Sequence, residues 1–134
     1  MNYLLDTNVL SEPLKKRPDA GVARRLGSLS RAQLYTSSVC VMELRAGAQR
    51  HSTGPELWTR ISRDVLRYVT VLPFAEAEGR RAGDVIARLA LIGKPIGVED
   101  VMIAATALEH DLVIATRNVG HLSRVEGARV ESWW

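Results

Sequence analysis

Apolar residues recur along this chain in two rhythms, and the alternation between them predicts the architecture. Runs too short for a helix, Tyr3 to Leu5, Leu34 to Thr36, Val69 to Leu72, Leu112 to Ala115 and Ala128 to Val130, read as strands. Longer segments with helical spacing lie between them. Pro18-Asp19 opens a helix through Leu29, with Val22, Leu26 and Leu29 on its apolar face. Ser37 or Ser38 caps the next, which runs to about Gln49 and gives way to a loop at His51-Ser52-Thr53-Gly54-Pro55. A third helix carries Trp58, Ile61, Val65 and Tyr68 on one face and Arg60, Arg63 and Arg67 on another, a solvated stripe. Two more are expected over Glu76 to Leu91, ended by Gly93-Lys94-Pro95, and over Val98 to about His110. Strands alternating with helices need crossover connections, which build a parallel sheet covered on both faces. The expectation is a three-layer α/β/α sandwich.

Composition narrows the picture only in part. With 134 residues, 46% hydrophobic and 25% charged, the chain suits one domain spanning residues 1–134. Eighteen basic against 15 acidic residues leave a formal charge of +3, which tilts towards an anionic partner without deciding it. Cys40 is the lone cysteine, so no intramolecular disulfide forms; its place in an apolar helical run marks a buried structural thiol and fits a reducing cytoplasm. No leader pattern and no bilayer-spanning apolar stretch are present, so a soluble cytoplasmic protein without membrane contact is expected.

The candidate chemistry lies in three acids at the edges of apolar segments. Asp6 closes Tyr3-Leu4-Leu5, Glu43 interrupts Val39-Cys40-Val41-Met42, and Asp100 opens Val101-Met102-Ile103-Ala104-Ala105. In a parallel sheet the ligand site lies beyond the carboxyl ends of the strands, where the strand order reverses. Asp6 and the Thr116-Arg117-Asn118 segment both fall at that rim. Glu43 has Val39, Cys40, Ala46 and Gly47 as its helical neighbours. A carboxylate there needs a partner, and a metal ion or an arginine such as Arg45 or Arg117 would serve. Asp100 sits in the first turn of its helix, with Glu99 about 100° away around the axis and free of its role. Taken singly, Asp6 is an ordinary turn residue and Asp100 a complement to the helix dipole. Together they describe an oxygen-rich pocket for Mg²⁺ or Mn²⁺ and point to phosphodiester hydrolysis. His51, His110 and His121 lack ligand spacing, which argues against zinc.

An ordered set of motifs resembles a known family. Leu4-Leu5-Asp6-Thr7-Asn8-Val9-Leu10-Ser11-Glu12-Pro13-Leu14, then Ser37 with Glu43-Leu44, then Asp100-Val101-Met102-Ile103-Ala104-Ala105-Thr106-Ala107, then Ala115-Thr116-Arg117-Asn118 resemble PIN-domain ribonuclease toxins of the VapC family, FitB-like branch. The likeness spans nearly the whole chain. It implies a five-stranded parallel sheet, a Mg²⁺- or Mn²⁺-dependent endoribonuclease acting as the toxin of a type II toxin-antitoxin system, a homodimer, and an inhibiting antitoxin, of ribbon-helix-helix or similar DNA-binding type. By motif position it makes Asp6, Glu43 and Asp100 metal ligands, and Thr7, Ser37 and Thr116 polar supports. The family's fourth acidic position holds Asn118 here.

On that reading Arg117 and the Lys15-Lys16-Arg17 run would offset repulsion between RNA and an acidic centre. Recognition would favour unpaired loops over a duplex groove. Trp58, Trp133 and Trp134 are candidates for partner surface or for simple core closure. Asn118 also raises an alternative, a catalytically weak or silent PIN-like module acting as an RNA binder or scaffold. Two other classes fit poorly. A haloacid-dehalogenase-like phosphatase needs an acid where Asn8 stands. A receiver domain needs a phosphoacceptor aspartate after the third strand, where Val71-Leu72-Pro73-Phe74 offers none.

Overall fold

Three consecutive buried residues, Tyr3–Leu5, form β1, and burial on both sides is what a central parallel strand requires. In the computed structural model, which describes residues 1–134, the other strands are β2 (Leu34–Ser37), β3 (Thr70–Leu72), β4 (Val113–Ala115) and β5 (Val130–Glu131). They make one five-stranded sheet in the order β3-β2-β1-β4-β5. Every pairing is parallel. The chain steps from β1 outward to β2 and β3, then returns to place β4 on the other side of β1. The switch point therefore lies between β1 and β4.

Seven helices complete the layers: α1 (Thr7–Ser11), α2 (Ala20–Ser28), α3 (Ser38–Arg50), α4 (Gly54–Asp64), α5 (Glu76–Leu91), α6 (Val98–Glu109) and α7 (Val119–Leu122). Most follow the periodicity. Asp19 caps α2 by accepting from Gly21 and Val22 N–H, and Ser37 caps α3 by accepting from Val39 N–H. Helix α5 ends as its sequence demands: Gly93 adopts φ 70°, and Lys94 N–H bonds back to the Leu89 carbonyl at 3.0 Å. Helix α6 is buried almost all round after its polar first turn, through Val101, Ile103, Ala104, Ala105, Thr106 and Ala107. Its run of small residues lets it pack closely into the core.

Three elements depart from the periodicity. The helix expected to carry Trp58 through Tyr68 stops at Asp64, because Val65 leaves helical geometry at φ −125°, ψ −66° with its side chain in the core. A 3₁₀ turn, Leu66–Tyr68, follows, and Tyr68 ends up half exposed rather than on a shared apolar face. Strand β5 starts later than Ala128, since Gly127 at φ 83° and an Ala128 N–H bond to the Val125 carbonyl hold that residue in a turn. Helix α7, four residues long, is too short to leave a periodic trace.

Candidate metal centre and its rim

The register of β1 and β4 builds the site. Leu5 pairs with Ala115, so the next residues, Asp6 and Thr116, emerge side by side at the carboxyl edge. Asp6 N–H donates to the Ala115 carbonyl at 3.0 Å. Thr116 Oγ1 donates to Asp6 Oδ2 at 2.7 Å. Asp6 also caps α1, its Oδ1 accepting from Thr7 N–H at 2.8 Å. Asn8 Nδ2 adds a longer contact to Oδ2 at 3.3 Å. With only 4% of its surface exposed, Asp6 is held by neutral donors alone.

Glu43 approaches from the middle of α3. Its Oε1 accepts from Thr7 Oγ1 at 2.7 Å, and neither Arg45 nor Arg117 pairs with it. Arg45 lies over the Trp58 ring at 4.8 Å instead. One oxygen of Asp6, one of Glu43 and the Cys40 sulfur lie within 4.8 Å of one another. Asp100 stands outside that close group. From the first turn of α6, its Oδ2 accepts from Asn118 Nδ2 at 3.0 Å and lies 3.6 Å from His121 Nδ1.

Electrostatics ties the acids together. Burial raises the Asp6 pKa above the ordinary carboxylate value; the Thr116, Thr7 and Asn8 hydrogen bonds oppose this, while the Asp100 charge adds to it. Burial likewise raises Glu43, with Thr7 opposing and Asp6, Asp100 and Glu99 adding. Glu99, which need not share the role of Asp100, is close enough for its charge to be felt by Glu43. No lysine or arginine is paired with Asp6, Glu43 or Asp100. Concentrated negative charge with no lysine or arginine beside it is what a hydrated divalent cation compensates, and the oxygen donors suit a hard ion. Cys40 does not. It is buried, its thiol is pushed up to about 11 chiefly by burial, and its weak contact to Asp6 Oδ1 is 4.0 Å long.

The remaining residues fall into place unevenly. Ser37 is fully buried and its hydroxyl oxygen accepts from Val39 N–H at 3.0 Å, so it fixes the start of α3 and contacts none of the acids. Asn118 bridges Asp100 and His121, and its N–H donates to Thr116 Oγ1 at 2.9 Å. Arg117 N–H donates to Asn8 Oδ1 at 3.0 Å. Lys15 meets the buried Glu12 at 2.8 Å, while Lys16 and Arg17 are exposed and form no ion pair. Two residues were not assigned to the site from the sequence. Asn8 links the β1 and β4 edges, and His121 reaches Asp100 by lying three residues beyond Asn118 on α7, a spacing visible only once that helix is known.

Compared with known proteins, the chain matches the PIN domain family over residues 3–128. It is 35% identical over 133 residues to the tRNA(fMet)-specific endonuclease VapC of Shigella flexneri, covering 99% of this chain and 98% of that protein. Toxin FitB of Neisseria gonorrhoeae is 35% identical over 135 residues, with 97% of each chain covered. The crystal structure of FitAcB from Neisseria gonorrhoeae superposes with a TM-score of 0.91 at 34% identity, covering 98% of both chains.

Proposed function

Because this chain belongs to the PIN domain family, we propose that it is a metal-dependent endoribonuclease serving as the toxin of a toxin-antitoxin pair. The observation that carries the reading is the proximity of Asp6, Glu43 and Asp100, each close enough for its charge to be felt by the others, with no lysine or arginine paired to any of them. The names of its relatives, an endonuclease and a toxin, favour the same conclusion.

Asp6 and Glu43 would hold a Mg²⁺ or Mn²⁺ ion, with Asp100 completing the shell from the opposite wall. Bound there, the ion would supply Lewis acidity towards a phosphodiester oxygen and an attacking water. The protein's share is positioning. Thr116, Thr7 N–H and Asn8 hold the Asp6 carboxylate, and Thr7 Oγ1 fixes Glu43, without adding charge. Asn118 holds Asp100. Arg117 and the Lys15-Lys16-Arg17 run would supply positive charge for the RNA backbone, with Lys15 partly neutralised by Glu12.

The partners follow from the same kinship: RNA as substrate, a second copy of the chain, and an antitoxin that covers the acid pocket with a basic side chain. An apolar hollow of about 400 Å³, lined in part by Val9, Leu10, Pro13, Leu26, Leu29 and Val65, would offer an antitoxin segment an apolar surface alongside α1 and α2. No helix is long and apolar enough to cross a membrane. Trp133 is buried and closes the core, so the interface reading is left to Trp58 and Trp134, which are only partly buried. The deciding experiment is cleavage of a single-stranded RNA by the purified protein in Mn²⁺. Cleavage should vanish in EDTA and in Asp100→Ala; persistent cleavage by Asp100→Ala would overturn the assignment.

A further inference from the structure

Two adjacent tryptophans near the end of the sheet have different surroundings. Trp133 is an anchor. Its Nε1 donates to Glu131 Oε1 at 2.8 Å, and its ring meets Tyr3 edge-on with centroids 5.4 Å apart. Arg25 spans both rings and donates to the same Glu131 oxygen at 2.7 Å. Helix α2 presses on this segment so closely that a Cβ on Gly21 would collide with the Trp133 carbonyl oxygen. The backbone leading into Trp134 is therefore fixed.

Trp134 turns its ring towards the acid pocket's rim. The guanidinium carbon of Arg117 lies 5.3 Å from its ring centroid, and Arg117 is in no ion pair, unlike Arg25, Arg63, Arg80, Arg81, Arg88 and Arg129. The Arg117 backbone is tied to the pocket through Asn8, which itself contacts Asp6. Its charge is felt by Glu12, the carboxylate that Lys15 meets at 2.8 Å. Arg117 and Lys15 thus border the same side of the site, and Arg117 alone has an aromatic face behind it. A planar guanidinium held this way keeps its donors free for phosphate and loses less freedom on binding than an unsupported side chain.

We propose that Trp134 is a positioning residue for RNA, holding the Arg117 guanidinium ready for a backbone phosphate next to the acid pocket. The inference rests on the ribonuclease reading for its substrate and adds a residue to it. The Trp134 indole N–H has no hydrogen-bond acceptor, so Trp134→Phe keeps the supporting face and sacrifices no hydrogen bond, whereas Trp134→Leu keeps an apolar side chain and removes the face.

The test uses one fluorescein-labelled single-stranded oligoribonucleotide with the full-length protein. Cleavage is followed in Mn²⁺, and binding by anisotropy in EDTA. Trp134→Leu should raise KM and weaken binding by about fivefold with kcat unchanged, the scale of one cation–π support, and Trp134→Phe should restore both. Arg117→Ala should weaken binding and lower the salt slope by about one, and Trp134→Leu should add no further loss in that background. Additive losses, a fall in kcat alone, or unchanged binding in Trp134→Leu at an unchanged melting temperature would overturn the proposal. Wild-type protein that binds without cleaving would count against the ribonuclease reading, while the binding comparison still decides the role of Trp134. Wild-type protein that neither binds nor cleaves would overturn both.

Discussion

Asp6 and Asp100 lie close enough for the charge of one to act on the other, yet under opposite conditions. Asp6 is 4% exposed, and its oxygens accept from Thr116, Thr7 N–H and Asn8, groups fixed by the pairing of β1 with β4 and by the start of α1. The Asp100 side chain is 22% exposed and accepts one hydrogen bond, from the side-chain amide of Asn118, the N-cap residue of a four-residue helix. The inner wall is built before any ligand arrives. The outer wall is open to solvent, which screens its charge. A charge set in the inner wall is costly because its position is secured by burial, and that cost is what a cation would relieve.

Replacing the acids should expose the difference most strongly. Asp6→Asn and Asp100→Asn should both lower RNA cleavage by more than about 100-fold, beyond the range typical of residues that only support ligands. Their stabilities should diverge. In EDTA near neutral pH, Asp6→Asn should melt a few degrees above wild type because it removes a buried charge while retaining an acceptor. Asp100→Asn should move the melting temperature less. Equal shifts in thermal denaturation would dissolve the contrast between the walls.

The supporting hydroxyls come next in size. Thr116→Val leaves a buried Asp6 oxygen without its shortest hydrogen bond, so metal affinity and activity should fall by about 10- to 100-fold. Thr7→Val should act through Glu43 in the same direction but more weakly, since Glu43 is only half-buried. Asn118→Ala should cost less again. If Mn²⁺ titrations of cleavage rank Asn118→Ala as the most damaging of the three, the outer wall is the rigid one.

That ranking also separates what the chain reveals from what the fold adds. Asp6 and Asp100 are legible because each stands where an apolar run ends or begins, and Glu43 because its helical neighbours are apolar or small. The Thr116–Asp6 bond is not legible from spacing: it depends on β4 returning to lie beside β1, a strand pairing across more than a hundred residues. The α4 boundary was hidden for a different reason. Val65 continues the helical spacing of apolar residues yet reaches the core by leaving the helix. His121 was hidden because α7 is a single turn.

The pH dependence of stability tests the inner wall as a whole. The carboxyls of Asp6 and Glu43 have pKa values above their ordinary ones. Their ionisation therefore weakens the fold: the stability associated with their neutral forms is present at low pH and lost as pH rises through the folded-state values. Glu78, held low chiefly by its hydrogen bond with His110, and Glu12, held low chiefly by Lys15, act in reverse and lose their contribution as pH falls through their lowered values. The melting temperature in EDTA should therefore rise as pH is lowered from neutrality through the raised values of Asp6 and Glu43, then decline in stronger acid as Glu78 and Glu12 protonate. Mn²⁺ should raise the neutral-pH value and flatten that rise. A steady decline from pH 7 downward in EDTA would contradict the inner-wall account.

The smallest expected effect lies at Asn118, the amide that stands beside Asp100 in the outer wall. Its Nδ2 donates to Asp100 Oδ2 at 3.0 Å, so the amide steadies Asp100 without contributing negative charge. The amide oxygen can accept from water or ligate a cation, but it cannot serve as a base at neutral pH. A pocket with this residue should bind one ion through its three acids and take a second only weakly, as substrate phosphate adds charge. Asn118→Asp would exchange the hydrogen bond to Asp100 for like-charge repulsion and give a second ion a reason to bind. The Mn²⁺ concentration for half-maximal cleavage should fall in Asn118→Asp by a few-fold, about the effect of one added carboxylate at a partly exposed site, while the EDTA-treated protein becomes slightly less stable. Calorimetric Mn²⁺ titrations of wild type and Asn118→Asp provide the measurement. Superimposable isotherms would mean that Asn118 only steadies Asp100, leaving the outer wall with one acid and one amide but no ligand role for the amide.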